Sequence, residues 1–479
     1  MSGAASGGKQ PSAARRGVLS TGSVAVQGVF RFLYSLIIGR SLGPAALGAA
    51  SSGISLAQFL ALAFPAGAGA AASTFIARSH GAGTPELALS VTRLLSRLTL
   101  VTSAVLAVIA GVASAVLFGT GSWTEPVLVA ALAFSLATYT YVRGVYFATA
   151  RISRSLFWDI ATTVLGLGSL IAVIVLHWNA LLLLPLTFAY ALYAIVGWPR
   201  SGPAVAPVGR ELRNEIVSFI AWSSISALST GGLLQLSMVI ARSVGTAEQS
   251  GEYAAAVSLA TPASMISSIL SLTILPTMAH AVGRRDHDSL RRQTDMAMRG
   301  LTAVLGLAFG GLVVLSRPLV EILFGQSFSG AGTILPILMA ASFVQSLNVA
   351  AVTVLLTWRR STVRVPSLMS VAGAIVGLVV MALLIPDLSV IGVAIGFLVS
   401  SLISGLGPIV VVWKSFRMRW LGLALRLVAG AISVGVLVAV TRAFGQGLLV
   451  DVLAALCFVL VWLVLMLPEW LLLRKQLSG

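Results

Sequence analysis

The 479-residue chain has little charge, few acids and one cysteine. Charged residues make up 9% and hydrophobic residues 58%, against about 25% and about 45–50% in a soluble globular domain; a soluble fold is excluded. Cys457 has no partner in the chain, so an intrachain disulfide is excluded as well. The four histidines, His80, His177, His280 and His287, lack the spacing of metal ligands, and neither a metal nor a cofactor is expected. The 14 acids face 31 bases, 28 of them Arg, for a formal charge of +17. In a soluble chain that excess suggests nucleic acid. Here the bases sit in short loops between apolar runs, so the excess reads as membrane orientation, and no nucleic-acid partner is expected. Attraction to anionic membrane lipids follows as an unspecific consequence.

What the chain has in abundance is apolar length. Fourteen runs, from 18–39 to 448–468, are each long enough to be a membrane helix, and none shows the alternation of a barrel strand. The expected class is all-α, a polytopic membrane protein of about 14 transmembrane helices. Fourteen crossings of about 20 residues leave loops of about 13 residues on average, too short for a separate domain. Residues 1–17 read as a disordered cytosolic tail. Basic clusters such as Arg151 with Arg154 and Arg359 with Arg360 alternate with loops carrying Glu125, Glu248, Glu252, Glu321 and Asp387. Both termini are therefore expected in the cytosol and the acid-bearing loops outside.

The segment Gly39-Arg40-Ser41-Leu42-Gly43, followed by Gly48, recurs 202 residues later as Ala241-Arg242-Ser243-Val244-Gly245, followed by Gly251. Each copy is the outer end of one run, a tight loop and the start of the next. Such a duplication predicts two pseudo-symmetric six-helix lobes related by an axis along the membrane normal. Residues 18–200 would form the first lobe, 201–215 a cytosolic linker, 216–412 the second lobe, and 413–479 two appended helices with a short tail. The pairs Gly306/Gly310, Gly373/Gly377 and Gly392/Gly396 read as close-packing sites within the chain.

Arg31 is the most informative residue. In the run 18–39 it lies within about 5 Å of the helix midpoint, where a charge costs about 2.5–3.5 kcal/mol and usually faces a water-filled cavity or a partner. Ser20, Ser23, Gln27, Arg31 and Ser35 follow at helical spacing and read as one polar stripe. Lesser stripes occur at Ser51, Ser55 and Gln58, at Ser224, Gly231, Gln235 and Arg242, and at Thr261, Ser264, Ser268 and Ser271. Gln345 and Asn348 stand in the tenth run. Around one chamber between the halves, the expected substrate-binding set is Arg31, Gln27, Ser35, Gln58, Gln235, Arg242, Ser264, Ser268, Gln345 and Asn348. Two simpler roles compete: Ser and Thr often bond their own helix, and Arg40 and Arg242 stand where snorkelling to headgroups is easy. No acid is expected near the middle of a run; Asp159 is read as lying toward a cytosolic end. A chamber whose deepest charge is an unpaired guanidinium prefers an anion such as a diphosphate, which Arg binds bidentately.

The motifs Arg40-Ser41-Leu42-Gly43-Pro44, Gly251-Glu252-Tyr253-Ala254-Ala255-Ala256, Leu275-Pro276, Ile322-Leu323-Phe324-Gly325 and Ile391-Gly392-Val393-Ala394 run in order through nearly the whole chain. In this the sequence resembles the polysaccharide flippases of the multidrug/oligosaccharidyl-lipid/polysaccharide exporter superfamily. The resemblance implies a two-lobed transporter of the bacterial inner (plasma) membrane, not an enzyme. It would turn polyprenyl-diphosphate-linked oligosaccharide to the outer leaflet by alternating access, with Na⁺ or H⁺ as a possible coupling ion. Two departures bear on cargo. Phe32 follows Arg31, and the second and eighth runs carry no internal base, unlike the peptidoglycan-precursor branch; Gln235-Leu236-Ser237 stands where many polysaccharide flippases have an Asp. The first departure makes the peptidoglycan precursor the alternative cargo. An ion-coupled exporter of small amphipaths is a further alternative, whereas a membrane glycosyltransferase is disfavoured because no loop carries its acidic or histidine chemistry.

Overall fold

The computed structural model describes residues 13–119, 121–200, 207–262, 287–358, 362, 364–444 and 447–477, and every regular element among them is helical. In chain order the first lobe holds α1 (Ala13–Leu62), α2 (Phe64–Ala71), α3 (Ala77–Gly81), α4 (Pro85–Phe118), α5 (Thr124–Ala148), α6 (Ile152–Val175) and α7 (Leu184–Gly197). There follow α8 (Arg210–Ala227), α9 (Leu233–Val244), α10 (247–262), α11 (His287–Val314), α12 (Ser316–Leu323), α13 (Ala331–Trp358) and α14 (Arg364–Ser415). The C-terminal pair is α15 (Leu421–Phe444) and α16 (Leu448–Leu477). Helices are the form such apolar segments take, because lipid offers no partner for a free backbone N–H or C=O.

Ten stretches are long and apolar enough to cross a membrane. Two of them, the 38 residues to Leu62 and the 52 of α14, are too long for one crossing, and each is broken inside. At Gly43 the backbone has φ 81° and ψ −175°, a conformation essentially confined to glycine, and Pro44 then supplies no N–H to continue the helix. In α14 the break is at Ser389 (φ 49°), whose hydroxyl donates to Gln249 Oε1 at 3.3 Å. Each break turns one long helix into two crossings. The run from α8 through a π-turn (Leu228–Gly232) to α9 is one more crossing, which makes thirteen among the described residues, and α10 is a further helix described as far as residue 262.

Helices α4 to α7 pack with α1 and with one another; α9, α11, α13 and α14 form a second bundle. The first bundle buries Tyr34, Tyr141, Tyr193 and Leu132, the second Leu335, Leu338 and Val393. α15 and α16 lie against α11, where Gly306 and Gly310 leave the space that Trp462 and Phe458 fill. Gly377 and Gly396 likewise pack against each other's segments, a Cβ on Gly377 coming within 2.9 Å of the Gly396 carbonyl. Between the bundles the contacts include α1 with α9 and α2 with α8.

The repeated motifs meet each other. A Cβ on Gly48 would strike Ser250 and come within 2.7 Å of the Gly251 nitrogen, and one on Gly251 would strike the Pro44 carbonyl. Each repeat arginine crosses to the opposite bundle. Arg40 donates to the Ile322 carbonyl at 3.2 Å, and Arg242 reaches α1 and the start of α5. This reciprocal crossing is the geometry that a pseudo-twofold axis between duplicated halves produces.

Candidate functional site: a chamber between the lobes

A chamber of ≈ 270 Å³ opens between the bundles. The first half of α1 contributes Arg31, Phe32, Tyr34 and Ser35, and the second half Ser51, Ile54, Ser55 and Gln58. Gly231, Leu234, Gln235 and Met238 face it from the π-turn and α9, Ala254, Val257, Ser258 and Thr261 from α10, and Leu186 from α7. The wall mixes hydroxyls and amides with apolar side chains and, among the described residues, contains one charge, Arg31. Its guanidinium makes no ion pair among the described residues; Nε donates to the Tyr190 hydroxyl at 3.3 Å. The remaining donors of the fork belong to a side chain that lines the chamber, where a carboxylate or phosphate could take two of them in parallel.

Of the expected set, Arg31, Ser35, Gln58 and Gln235 are on this wall. Four others are elsewhere. Gln27 is buried inside the first lobe and donates through Nε2 to Asp159 Oδ1 at 3.0 Å. Arg242 sits at the end of the chamber that the loop charges assign to the outside. There it binds Glu125 through two bonds of 2.5 and 3.1 Å, the Ala49 carbonyl at 3.0 Å and Ser52 Oγ at 2.8 Å, with its guanidinium 4.3 Å from the Phe118 ring centre. Gln345 donates to Ser404 Oγ at 3.2 Å and Asn348 to the Ser404 carbonyl at 3.2 Å, so both tie α13 to α14 within the second bundle. Ser264 and Ser268 lie outside the described residues.

The stripe on α1 divides for a simple reason. Steps of four residues overshoot a turn of 3.6 by about 40° each, so Ser35 points about 120° around the helix from Ser23. Its lower part turns into the lobe and its upper part into the chamber. The lower part meets an acid that the apolar pattern conceals. Asp159 is fully buried on α6 and accepts hydrogen bonds from Ser23 Oγ, from Gln27 and, at 2.9 Å, from the Tyr139 hydroxyl. Because α6 starts at Ile152, Asp159 is two turns inside the helix rather than at its end. A carboxylate therefore does lie within the helical core, against the sequence expectation, but it lines no part of the chamber and makes no ion pair with Arg31. Tyr190 and Tyr139, with ring centroids 4.8 Å apart, stand between the two.

Ser258 and Tyr190 escaped the sequence reading. Ser258 lies three residues before Thr261 and extends that stripe by a turn. Tyr190, in an unbroken apolar run, gives no signal of its contact with Arg31, 159 residues away. Among the described residues no three His, Cys, Asp or Glu side chains cluster as a metal site.

The fold is that of known flippases and exporters. The solved lipid II flippase MurJ in an inward closed conformation superposes with a TM-score of 0.66 at 14% identity, covering 96% of this chain and 100% of that one. An inward-facing multidrug resistance MATE family transporter of the MOP superfamily gives 0.60 at 16%, covering 82% and 94%. The eukaryotic MATE transporter AtDTX14 gives 0.59 at 17%, covering 84% and 97%. No curated protein matches the sequence. At such identities the structural likeness speaks for the fold and not for a substrate. The sequence itself, over residues 56–469, matches the family model of the lipid II flippase MurJ, so the chain belongs to that family of transporters and is not an enzyme.

Proposed function

We propose that the chain carries a peptidoglycan precursor, lipid II, from the inner to the outer leaflet of the bacterial plasma membrane by alternating access of its two lobes. The observation that carries this reading is the Arg31 guanidinium on the chamber wall, where the described residues supply neither an acidic partner for it nor any other carboxylate. Such a wall suits the diphosphate of a lipid-linked sugar, while the amides of Gln58 and Gln235 suit hydroxyls of the headgroup. Of the two lipid-linked cargoes, family membership favours lipid II over the polysaccharide precursor that Phe32 and the lack of an internal base in the second and eighth runs suggest. The tail 1–17 and the C-terminus would be cytosolic, with lobes at 18–200 and 216–412, the linker 201–215 and the appended helices at 413–479.

Two measurements test this. In a host depleted of its own lipid II flippase, the chain restores growth, and Arg31→Ala does not, at unchanged membrane levels. In its native host, depletion of the chain leaves lipid II accumulating on the inner leaflet; accumulation of a polysaccharide precursor instead would overturn the cargo, and full activity of Arg31→Ala would remove Arg31 from the mechanism.

A further inference from the structure

A cavity larger than the chamber lies elsewhere among the described residues. A space of ≈ 910 Å³ lies among the ends of five crossings of the first lobe, between the α2–α3 segment, the start of α4, the turn from α5 to α6 and the end of α7. It shares no lining residue with the chamber. His80, Arg151, Arg154 and Arg200 line it, and no carboxylate does. None of the three arginines makes an ion pair among the described residues.

Three other arginines on this face are matched to acids. Arg78 pairs with Glu215 at 3.3 Å, Arg299 with Asp295 at 2.8 Å and Glu469 at 2.6 Å, and Arg426 with Glu469. Orientation in the membrane explains why bases occur in inner loops. It does not explain why two from the start of α6, Arg151 and Arg154, and one just past the end of α7, Arg200, converge on one concavity without a counter-charge, where only solvent screens their mutual repulsion. A bound anion relieves it. Three guanidinium forks match the several oxygens of a phosphate or diphosphate, and the volume is within the range of small-molecule sites. Val145, Val196 and Trp198 add apolar wall beside the hydroxyls of Thr92, Tyr146 and Thr149, with room for the body of such a ligand.

We infer that this cavity is a second anion site, separate from the transport chamber, which takes a phosphate- or diphosphate-bearing ligand on Arg151, Arg154 and Arg200. The ligand is either a soluble phosphorylated compound or the headgroup of an anionic phospholipid, and occupancy bridges the α5–α6 turn to the end of α7.

The test is calorimetric titration of the purified full-length protein in uncharged detergent, in an Arg31→Gln background so that the chamber contributes nothing. The titrants are sodium pyrophosphate, dioctanoyl phosphatidylglycerol and, as a control, dioctanoyl phosphatidylcholine. Pyrophosphate binding that weakens about tenfold or more on adding Arg151→Gln and Arg154→Gln supports a soluble ligand. The same loss for phosphatidylglycerol alone supports a lipid headgroup. Arg200→Gln, outside any helix, repeats the measurement should the double substitution lower the melting temperature. Absence of binding to either phosphate, equal binding of phosphatidylcholine, or binding unchanged by these substitutions overturns the inference.

Discussion

A guanidinium whose fork is only partly used is expensive to keep in a membrane unless something visits it. Arg31 has one protein partner among the described residues, the neutral Tyr190 hydroxyl. Replacing it by Gln removes charge-assisted bonds worth about 1.5–3 kcal/mol, so affinity for a diphosphate is expected to fall between about tenfold and hundredfold; equal affinity would exclude direct contact. Asp159 has the opposite character, for its acceptor capacity is taken by Ser23, Gln27 and Tyr139. Asp159→Leu leaves three buried donors unsatisfied at about 1–3 kcal/mol each. The melting temperature in detergent should drop by several degrees, with a smaller drop for Asp159→Asn, and an unshifted melt would contradict this account. These two residues also show the limits of periodicity. The polar stripe on α1 is evident in residue order, but which part faces an acid and which a void depends on Asp159 and Tyr190, each more than 100 residues away.

At the scale of elements, the two copies of the repeat clasp each other at the expected outer end. The Arg242–Glu125 pair joins α9 to α5 with side chains 14% and 20% exposed, so water screens it only in part. Opening the chamber on this side requires α9 to leave α1 and α5, and therefore breaks that pair. Glu125→Gln keeps the shape and removes the charge, and is expected to shift the lobes toward opening there. The readout is labelling of Gln58→Cys by an impermeant thiol reagent, in a Cys457→Ser background because Cys457 is exposed; the rate should rise several-fold. Gly48→Ala is expected to act in the same direction by sterics, since its Cβ meets Ser250. Labelling unchanged in both variants would dismiss the clasp as a closing contact. The duplication behind this clasp was legible in the sequence as a five-residue segment with three identities, whereas the partner of each arginine was not, because Glu125 and Ile322 belong to neither copy.

For the whole molecule, the appended helices are held by charge as well as by packing. Glu469, 1% exposed on α16, accepts from Arg299 of α11 and Arg426 of α15. Removing one member of a buried ion group costs about 3–5 kcal/mol, less here because the Arg426 side chain is 31% exposed. Glu469→Gln is expected to lower the melting temperature by several degrees and leave the Arg31 chamber intact; an unaltered melt would show that apolar packing around Trp462 suffices. Residue order alone established a bundle of apolar helices with about fourteen crossings, and it marked the Gly43-Pro44 break, because lipid forces long apolar segments into helices and only glycine takes that backbone turn. It also picked out Arg31, since an intramembrane charge is conspicuous against 9% charged residues. The assignment of Gln27 and Arg242 to protein contacts, the burial of Asp159 and the convergence of three arginines on one cavity came from the packed fold, because each depends on how far a helix has rotated when it meets a neighbour distant in sequence.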